Sequence, residues 1–160
     1  MTDPEDIAEL FGIFHDGSIA RGTRVGHATE LVVEIEYLAE RIRPSDRSFT
    51  IRMDDLEKLR FTPWADEGQP EIPAVTDFAE ITRLDLGILS AEADGTRVKI
   101  ACTQDRRHPD YCGGLLEMTV GECRVFDESG CEWSLEELRK LSDGYWSEWA
   151  ARNKNAPSPP

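Results

Sequence analysis

Residues 30–38 of this chain read Glu30-Leu31-Val32-Val33-Glu34-Ile35-Glu36-Tyr37-Leu38. Apolar and charged side chains alternate, so that Glu30, Glu34 and Glu36 share one face and the opposite face carries Leu31, Val33, Ile35 and Tyr37. A period of two residues is typical of a β-strand, because successive side chains point to opposite faces of a sheet. A strand with one apolar and one charged face indicates a sheet that packs on the core with one face and is exposed to solvent on the other. Such sheets are antiparallel.

The same alternation recurs along the chain. After the turn Pro44-Ser45-Asp46, the side chains of Phe49, Ile51 and Met53 alternate with polar residues, which predicts the partner strand of a hairpin. In this hairpin we expect Arg52 to lie opposite Glu34 or Glu36, a pair worth about 0.2–1 kcal/mol. Further apolar faces are formed by Leu84, Leu86 and Ile88, by Val98, Ile100 and Cys102, by Leu116, Met118 and Val120, and by Cys123 and Val125.

Helix signals lie near both ends of the chain. Asp3 followed by Pro4 is typical of a helix start, and we expect this short helix to end at Gly12. Ser134 and Glu137 have the spacing of a capping box, which predicts a second helix. The apolar side chains of that helix recur at spacings of three and four and are Leu135, Leu138, Leu141, Tyr145 and Trp149.

These patterns predict an α+β fold. We expect an antiparallel β-sheet, built as a meander that is either sandwich-like or a half-barrel, with the short N-terminal helix and the C-terminal helix packed on it. Residues 1–155 are predicted to form a single domain, since the length is that of one ordinary domain. The proline-rich residues 156–160 are predicted to be a disordered tail.

The chain is strongly acidic. Its 160 residues include 32 Asp and Glu against 18 Lys and Arg, a formal charge of -14. This balance argues against binding to nucleic acid or to an anionic membrane, because counterion release requires Lys and Arg against phosphate. No apolar run approaches the roughly 18 residues of a membrane span. The first residues are acidic, whereas a secretory signal opens with positive charge, so we expect a cytoplasmic protein with reduced cysteines.

Few residues suggest catalysis or metal binding. His15-Asp16 is reminiscent of metal phosphohydrolases, but these enzymes need further histidines, and only His27 and His108 are present. Cys102, His108 and Cys112 are weak candidates for zinc ligands, since the close ligand pairs of structural zinc sites are missing, and His108 with Cys112 is a weak candidate for cysteine catalysis. Gly113-Gly114 does not form a phosphate-binding motif. We therefore expect a non-enzymatic protein without a metal or cofactor.

Two regions are candidates for binding. Residues 62–77 form the longest predicted loop, which contains three prolines and no Lys or Arg. Long loops in compact domains are often functional, and the candidate binding residues here are Trp64, Asp66, Glu67 and Glu71. In the C-terminal helix, Trp146 points about 100° away from Tyr145, so we expect Trp146 to be an exposed anchor for a partner.

The residues Phe14-His15-Asp16-Gly17-Ser18-Ile19 follow the first helix and precede a charged β-meander. In this they resemble small bacterial proteins of unknown function, some of them immunity proteins of polymorphic toxin systems that carry a Phe-His-Asp motif before their first strand. The resemblance implies a non-enzymatic cytoplasmic protein that binds one partner. It assigns to Phe14, His15, Asp16 and Ile19 a structural role.

The charge distribution favours a basic partner. Residues 1–80 carry a net charge of -10, and residues 81–160 carry -4. A negative surface accelerates association with a positive protein, so we expect an immunity-like inhibitor of a basic protein such as a toxin. The alternative is a small-molecule-binding domain with a pocket between the sheet and a helix, lined by Trp64 or Trp133.

Overall fold

The computed structural model describes residues 1–65, 72–104 and 111–154. Within these residues, nine strands form one antiparallel sheet: β1 (Ser18–Val25), β2 (Ala28–Glu34), β3 (Ser48–Asp54), β4 (Glu57–Pro63), β5 (Leu86–Asp94), β6 (Arg97–Gln104), β7 (Gly113–Thr119), β8 (Glu122–Asp127) and β9 (Glu132–Trp133). The helices are α1 (Pro4–Ile13), α2 (Glu36–Ala39), α3 (Phe78–Ile81) and α4 (Leu135–Asn153). The predicted α+β class is confirmed.

The sheet combines two meanders. Its strand order is β4-β7-β6-β5-β1-β2-β3-β8-β9, so β1–β2–β3 and β5–β6–β7 are consecutive hairpins that join where β1 pairs with β5. Strand β4 is added to one edge, and β8 with β9 to the other. The predicted meander therefore describes each half of the sheet, while the pairing of the halves is non-local.

The sheet is strongly rolled. Strands β3 and β4 lie six positions apart in the strand order, or about 29 Å in a flat sheet. Only Asp55 and Leu56 connect them, and three Cα steps span at most about 11 Å. The connection from β7 to β8 through Val120 and Gly121 is equally short, and the Gly121 amide donates a hydrogen bond to the Asp54 carbonyl (3.2 Å). The open sheet is therefore curved into a half-barrel.

Helix α1 packs on the inner face of the sheet, against β5 and β6. Its start is as predicted, since Asp3 accepts a hydrogen bond from the Glu5 amide and Pro4 is the first helical residue. The helix does not end at Gly12 but continues to Ile13, because the amide of Phe14 still bonds to the Leu10 carbonyl. Its buried side chains, which fill the half-barrel, are Ile7, Ala8, Leu10 and Phe11.

Helix α4 packs on the same side, against α1 and α2. The predicted capping box of Ser134 and Glu137 is present. Arg139 binds Glu9 of α1 through two hydrogen bonds (2.6 and 2.9 Å), which ties the two long helices together. Among the described residues, no helix has both the length and the apolar character of a membrane span.

Two details of the predicted hairpin are wrong. Strand β2 ends at Glu34, and Tyr37 lies in α2 rather than in the strand. Because the chain leaves the sheet there, β3 pairs with β2 from Ser48 opposite Glu34 onward. That register places Arg52 opposite Glu30 rather than Glu34 or Glu36.

Close packing leaves no room for a side chain at the glycine pair of β7, Gly113 and Gly114. A methyl group at Gly114 would lie 2.5 Å from the Thr62 carbonyl oxygen and 2.6 Å from the Phe61 ring. Gly12, in contrast, has nothing within 4 Å of the corresponding position.

Gly114→Ala is expected to lower the free energy of unfolding by about 1–3 kcal/mol, because the extra methyl group must displace backbone and a buried ring. The matched control Gly12→Ala is expected to be neutral or to stabilise by up to about 1 kcal/mol, since alanine is the better helix former. Urea unfolding of both variants measures the difference. Equal effects of the two substitutions would contradict the packing argument.

Asp127 organises the turn between β8 and β9. One carboxylate oxygen accepts hydrogen bonds from the Ser129 amide (2.8 Å), the Ser129 hydroxyl (2.6 Å) and the Cys131 amide (3.0 Å). The other oxygen accepts the indole N–H of Trp133 (3.2 Å). Burial alone would raise the pKa of this carboxyl group, but the hydrogen bonds to the charged form lower it below the ordinary value of 3.8.

Asp127→Asn is expected to lower the free energy of unfolding by about 1–3 kcal/mol at pH 7, because donors that faced a carboxylate lose their partner. The pKa of Asp127 is lower in the folded chain than in the unfolded chain. The contribution of Asp127 to stability is therefore fully present at a pH above its unfolded-state pKa, and it is lost as the pH falls through its folded-state pKa. The stability difference between wild type and variant should therefore shrink below about pH 4. Urea unfolding between neutral and acidic pH tests this, and a constant difference would contradict it.

Candidate functional site

Two segments that stand out in the sequence meet in the structure. His15 follows α1, and Trp146 lies in the second half of α4. Their ring centroids are 5.9 Å apart, with the ring planes inclined at 67°. The Phe-His-Asp segment and the aromatic end of the C-terminal helix therefore contribute to one surface.

The turn from α1 into β1 is rigidly held. Phe14 is buried and stacks on Phe49 (5.1 Å between centroids), and Ile19 is buried in β1. Asp16 adopts a left-handed backbone conformation (φ 66°), and its amide donates a hydrogen bond to the Ile88 carbonyl (2.9 Å). Phe14 and Ile19 thus anchor the turn in the core.

His15 and Asp16 face solvent at this turn. Their side chains are 44% and 57% exposed, and His15 Nδ1 lies 3.2 Å from Asp16 Oδ2. Because their neighbours on both sides are fixed by the core, these two polar side chains are presented in a defined position. The structure therefore separates the motif into buried anchors and exposed groups.

An aromatic cluster extends from His15 along α4. Tyr37 of α2 packs on Tyr145 (4.4 Å between centroids) and on the edge of Trp146 (5.8 Å), while its hydroxyl donates a hydrogen bond to the His15 carbonyl (2.8 Å). Trp149 contacts Trp146 at 5.8 Å and is 48% exposed. The term aromatic surface denotes this cluster of His15, Tyr37, Tyr145, Trp146 and Trp149.

The two tryptophans of α4 differ from their predicted positions. Trp146 is half-buried rather than exposed, because it lies only about 40° round the helix from the buried Ser142 and reaches His15 and Tyr37. Trp149 belongs to the apolar face that the spacing of three and four residues predicts for this helix. It is nevertheless 48% exposed.

Two carboxylates, those of Asp16 and Glu148, neighbour the aromatic surface in the sequence and the structure. Glu148 of α4 accepts two hydrogen bonds from Arg41 (3.0 and 2.7 Å), and the pKa of Glu148 is lowered mainly by this contact. The pKa of the Tyr37 hydroxyl is raised, first by burial and then by the nearby negative charge of Asp16. At neutral pH the Glu148 carboxylate beside the aromatic surface is therefore ionised, and the Tyr37 hydroxyl stays protonated.

Trp64, the other candidate tryptophan, follows β4 at the sheet edge and is 43% exposed. It lines a cleft of about 720 Å³ together with Ile72, Pro73 and Ala74. Its amide donates a hydrogen bond to the Gly113 carbonyl (2.9 Å). The other candidate residues of this loop, Asp66, Glu67 and Glu71, lie outside the described residues.

The candidate metal ligands do not form a site within the described residues. Cys102 is in the core, where burial raises the pKa of its thiol to about 12. Cys112 is exposed, and His108 lies outside the described residues. In residues 1–65, 72–104 and 111–154, no group of three His, Cys, Asp or Glu side chains is arranged to hold a metal ion.

Sequence patterns did not identify Tyr37 as a part of this surface. The alternation of residues 30–38 assigns Tyr37 to a strand face, and no local signal links it to a helix about a hundred residues later. The sequence signals that point to this region are the density of aromatic residues in 145–149 and the Phe-His-Asp segment of residues 14–16.

The two tryptophans are expected to differ in their effect on stability. Trp146→Ala removes contacts with four aromatic rings and should lower the free energy of unfolding by about 2–4 kcal/mol. Trp149→Ala should cost less than about 1 kcal/mol, since its side chain is half exposed. Urea unfolding followed by circular dichroism compares them, and a larger loss for Trp149→Ala would contradict the described packing.

No protein-family model matches this chain, and no curated protein or solved structure matches it either. The resemblance of residues 14–19 to immunity proteins accordingly stays a prediction. The geometry of the aromatic surface is the basis for assigning a function.

Proposed function

We propose that this protein binds a basic protein partner through the aromatic surface and acts as an inhibitor of the immunity type. The observation that carries the proposal is the exposure of Trp149 next to a packed group of rings. Tryptophan and tyrosine are enriched among the few residues that supply most of the energy of an interface. A large exposed ring on a rigid aromatic support loses little conformational entropy when a partner covers it.

The charge of the molecule supports a positive partner. The chain carries -14, and exposed carboxylates of Asp16 and Glu148 lie at the aromatic surface. A negative potential of this kind accelerates association with a positively charged surface and disfavours anionic ligands. A toxin that holds phosphate or nucleic acid in its active site would present such a surface.

The test begins with capture of a partner from an extract of the source organism, followed by purification of that partner and direct titration. Trp149→Ala is expected to weaken binding about 30-fold or more, as for a central interface residue. Trp64→Ala, an equally drastic change at the other exposed tryptophan, serves as the matched control and should leave the affinity unchanged. Raising the salt from about 0.1 M to about 1 M should slow association, because the screening length falls from about 10 Å to about 3 Å.

A partner whose affinity is insensitive to Trp149→Ala would show that the aromatic surface is not the binding site. A partner that is neutral or acidic, and whose association rate is independent of salt, would contradict the proposed electrostatic steering.

A second candidate function is the binding of a small molecule at the Trp64 cleft. The cleft is lined largely by apolar side chains, and its volume of about 720 Å³ is typical of ligand sites. The space between the sheet and α1, in contrast, is occupied by side chains such as Leu10 and Phe11, which are fully buried. Quenching of tryptophan fluorescence by a compound, abolished in Trp64→Phe but not in Trp149→Phe, would support this function.

A further inference from the structure

We propose that the aromatic surface receives an arginine side chain of the partner, with its guanidinium group over the His15 ring, next to the Trp146 ring and the Asp16 carboxylate that flank it, and with its stem along Trp149. This inference rests on the proposed function and specifies the chemistry that the surface recognises.

His15 contacts both of the groups that would bind the cation, the Trp146 ring and the Asp16 carboxylate. Its ring contacts the Trp146 ring (5.9 Å between centroids), and its Nδ1 lies 3.2 Å from the Asp16 carboxylate. Asp16 and Trp146 therefore flank the same side chain. A cation that approaches His15 meets a negative charge on one side and an aromatic ring on the other.

The Asp16 carboxylate is available for a partner. Among the residues that the structure describes, its one side-chain contact within 4 Å to a basic residue is with His15 Nδ1, and its side chain is 57% exposed. Glu148, in contrast, already has both carboxylate oxygens bound to Arg41. Asp16 is therefore the acid at this surface that an incoming cation would pair with.

Trp149 provides the apolar part of the site. It contacts Trp146 with the ring planes inclined at 72°, so the two indoles form a corner rather than a flat stack. Long cationic side chains bury their methylene stems on apolar surface while the charged head reaches a polar group. A stem lying along Trp149 would direct its head toward Trp146 and His15.

Arginine fits this arrangement better than lysine. Its planar guanidinium stacks on aromatic faces and binds a carboxylate through two parallel hydrogen bonds, which a compact ammonium does not do. The molecule already uses both modes, since Arg24 lies 5.0 Å from the centroid of the Phe78 ring and Arg41 binds Glu148 through two hydrogen bonds.

The probe is a short flexible peptide of alternating glycine and arginine, compared with the same peptide in which every arginine is replaced by neutral citrulline or by lysine. Binding is followed by the indole N–H resonances of the protein at about 0.15 M salt, where exposed charges more than about 8 Å apart are largely screened. The arginine peptide is expected to shift the Trp146 and Trp149 resonances, whereas the Trp64 resonance stays unchanged. Lysine should bind more weakly than arginine, and citrulline should not bind.

Asp16→Asn is the diagnostic variant, since asparagine tolerates the left-handed backbone at this position. It is expected to weaken binding of the arginine peptide about two- to tenfold. Glu92→Gln, which removes one exposed negative charge on β5, is the matched control and should leave the affinity unchanged.

Equal binding of the arginine and citrulline peptides, or equal effects of Asp16→Asn and Glu92→Gln, would overturn the arginine assignment. If Trp149→Ala still weakens binding of the purified partner in that case, the protein-binding function stands, and only the side chain that the surface recognises is different. If Trp149→Ala also leaves the affinity for the partner unchanged, both proposals fail.

Discussion

The short connections between β3 and β4 and between β7 and β8 are the constraint on which the rest of the structure depends. Each joins strands that are six positions apart in the sheet, and two residues suffice because the sheet is rolled. A rolled sheet has an open side, and α1 fills it with its apolar face. The end of α1 then lies at the rim of the half-barrel, where β5 fixes the turn that carries His15 and Asp16. The location of the aromatic surface is thus a consequence of how the sheet closes.

Helix α4 is held to this body mainly at its first half. Leu138 and Ser142 are its buried residues, and Arg139 and Glu148 connect it to α1 and to the segment after α2. Exposed ion pairs of this kind contribute little to stability, about 0–1 kcal/mol each. The packing of Tyr37 on Tyr145 and Trp146 therefore provides most of the attachment of the second half. The same rings support Trp149, so one cluster both fixes the helix and presents a residue to solvent.

The features that sequence predicted correctly are local ones. The alternation of Phe49, Ile51 and Met53 specifies a strand whatever its partner is, and the capping box at Ser134 and Glu137 specifies a helix start. Of the features that it missed, some are local and others depend on distant parts of the chain. Helix α2 directly follows β2, ends that strand at Glu34 and thereby changes the register of Arg52. Trp149 is 48% exposed although its spacing in α4 groups it with the apolar residues of that helix. The contact between His15 and Trp146 joins residues more than a hundred positions apart, and the spacing of residues in the sequence does not predict contacts over that separation.

The two buried thiols and the Asp127 carboxylate have structural surroundings. A nucleophile or general base has a pKa shifted toward the working pH and lies in a cleft. Here burial shifts the pKa of the Cys102 and Cys123 thiols upward to about 12, and Asp127, with a lowered pKa, is fully engaged in a turn. The exposed groups His15 and Asp16 lie beside aromatic rings on a turn that is held by the core. Burial of such a surface against a partner is favourable, because apolar area is removed from water. In the proposed function, covering the aromatic surface and the Asp16 carboxylate beside it supplies the binding free energy.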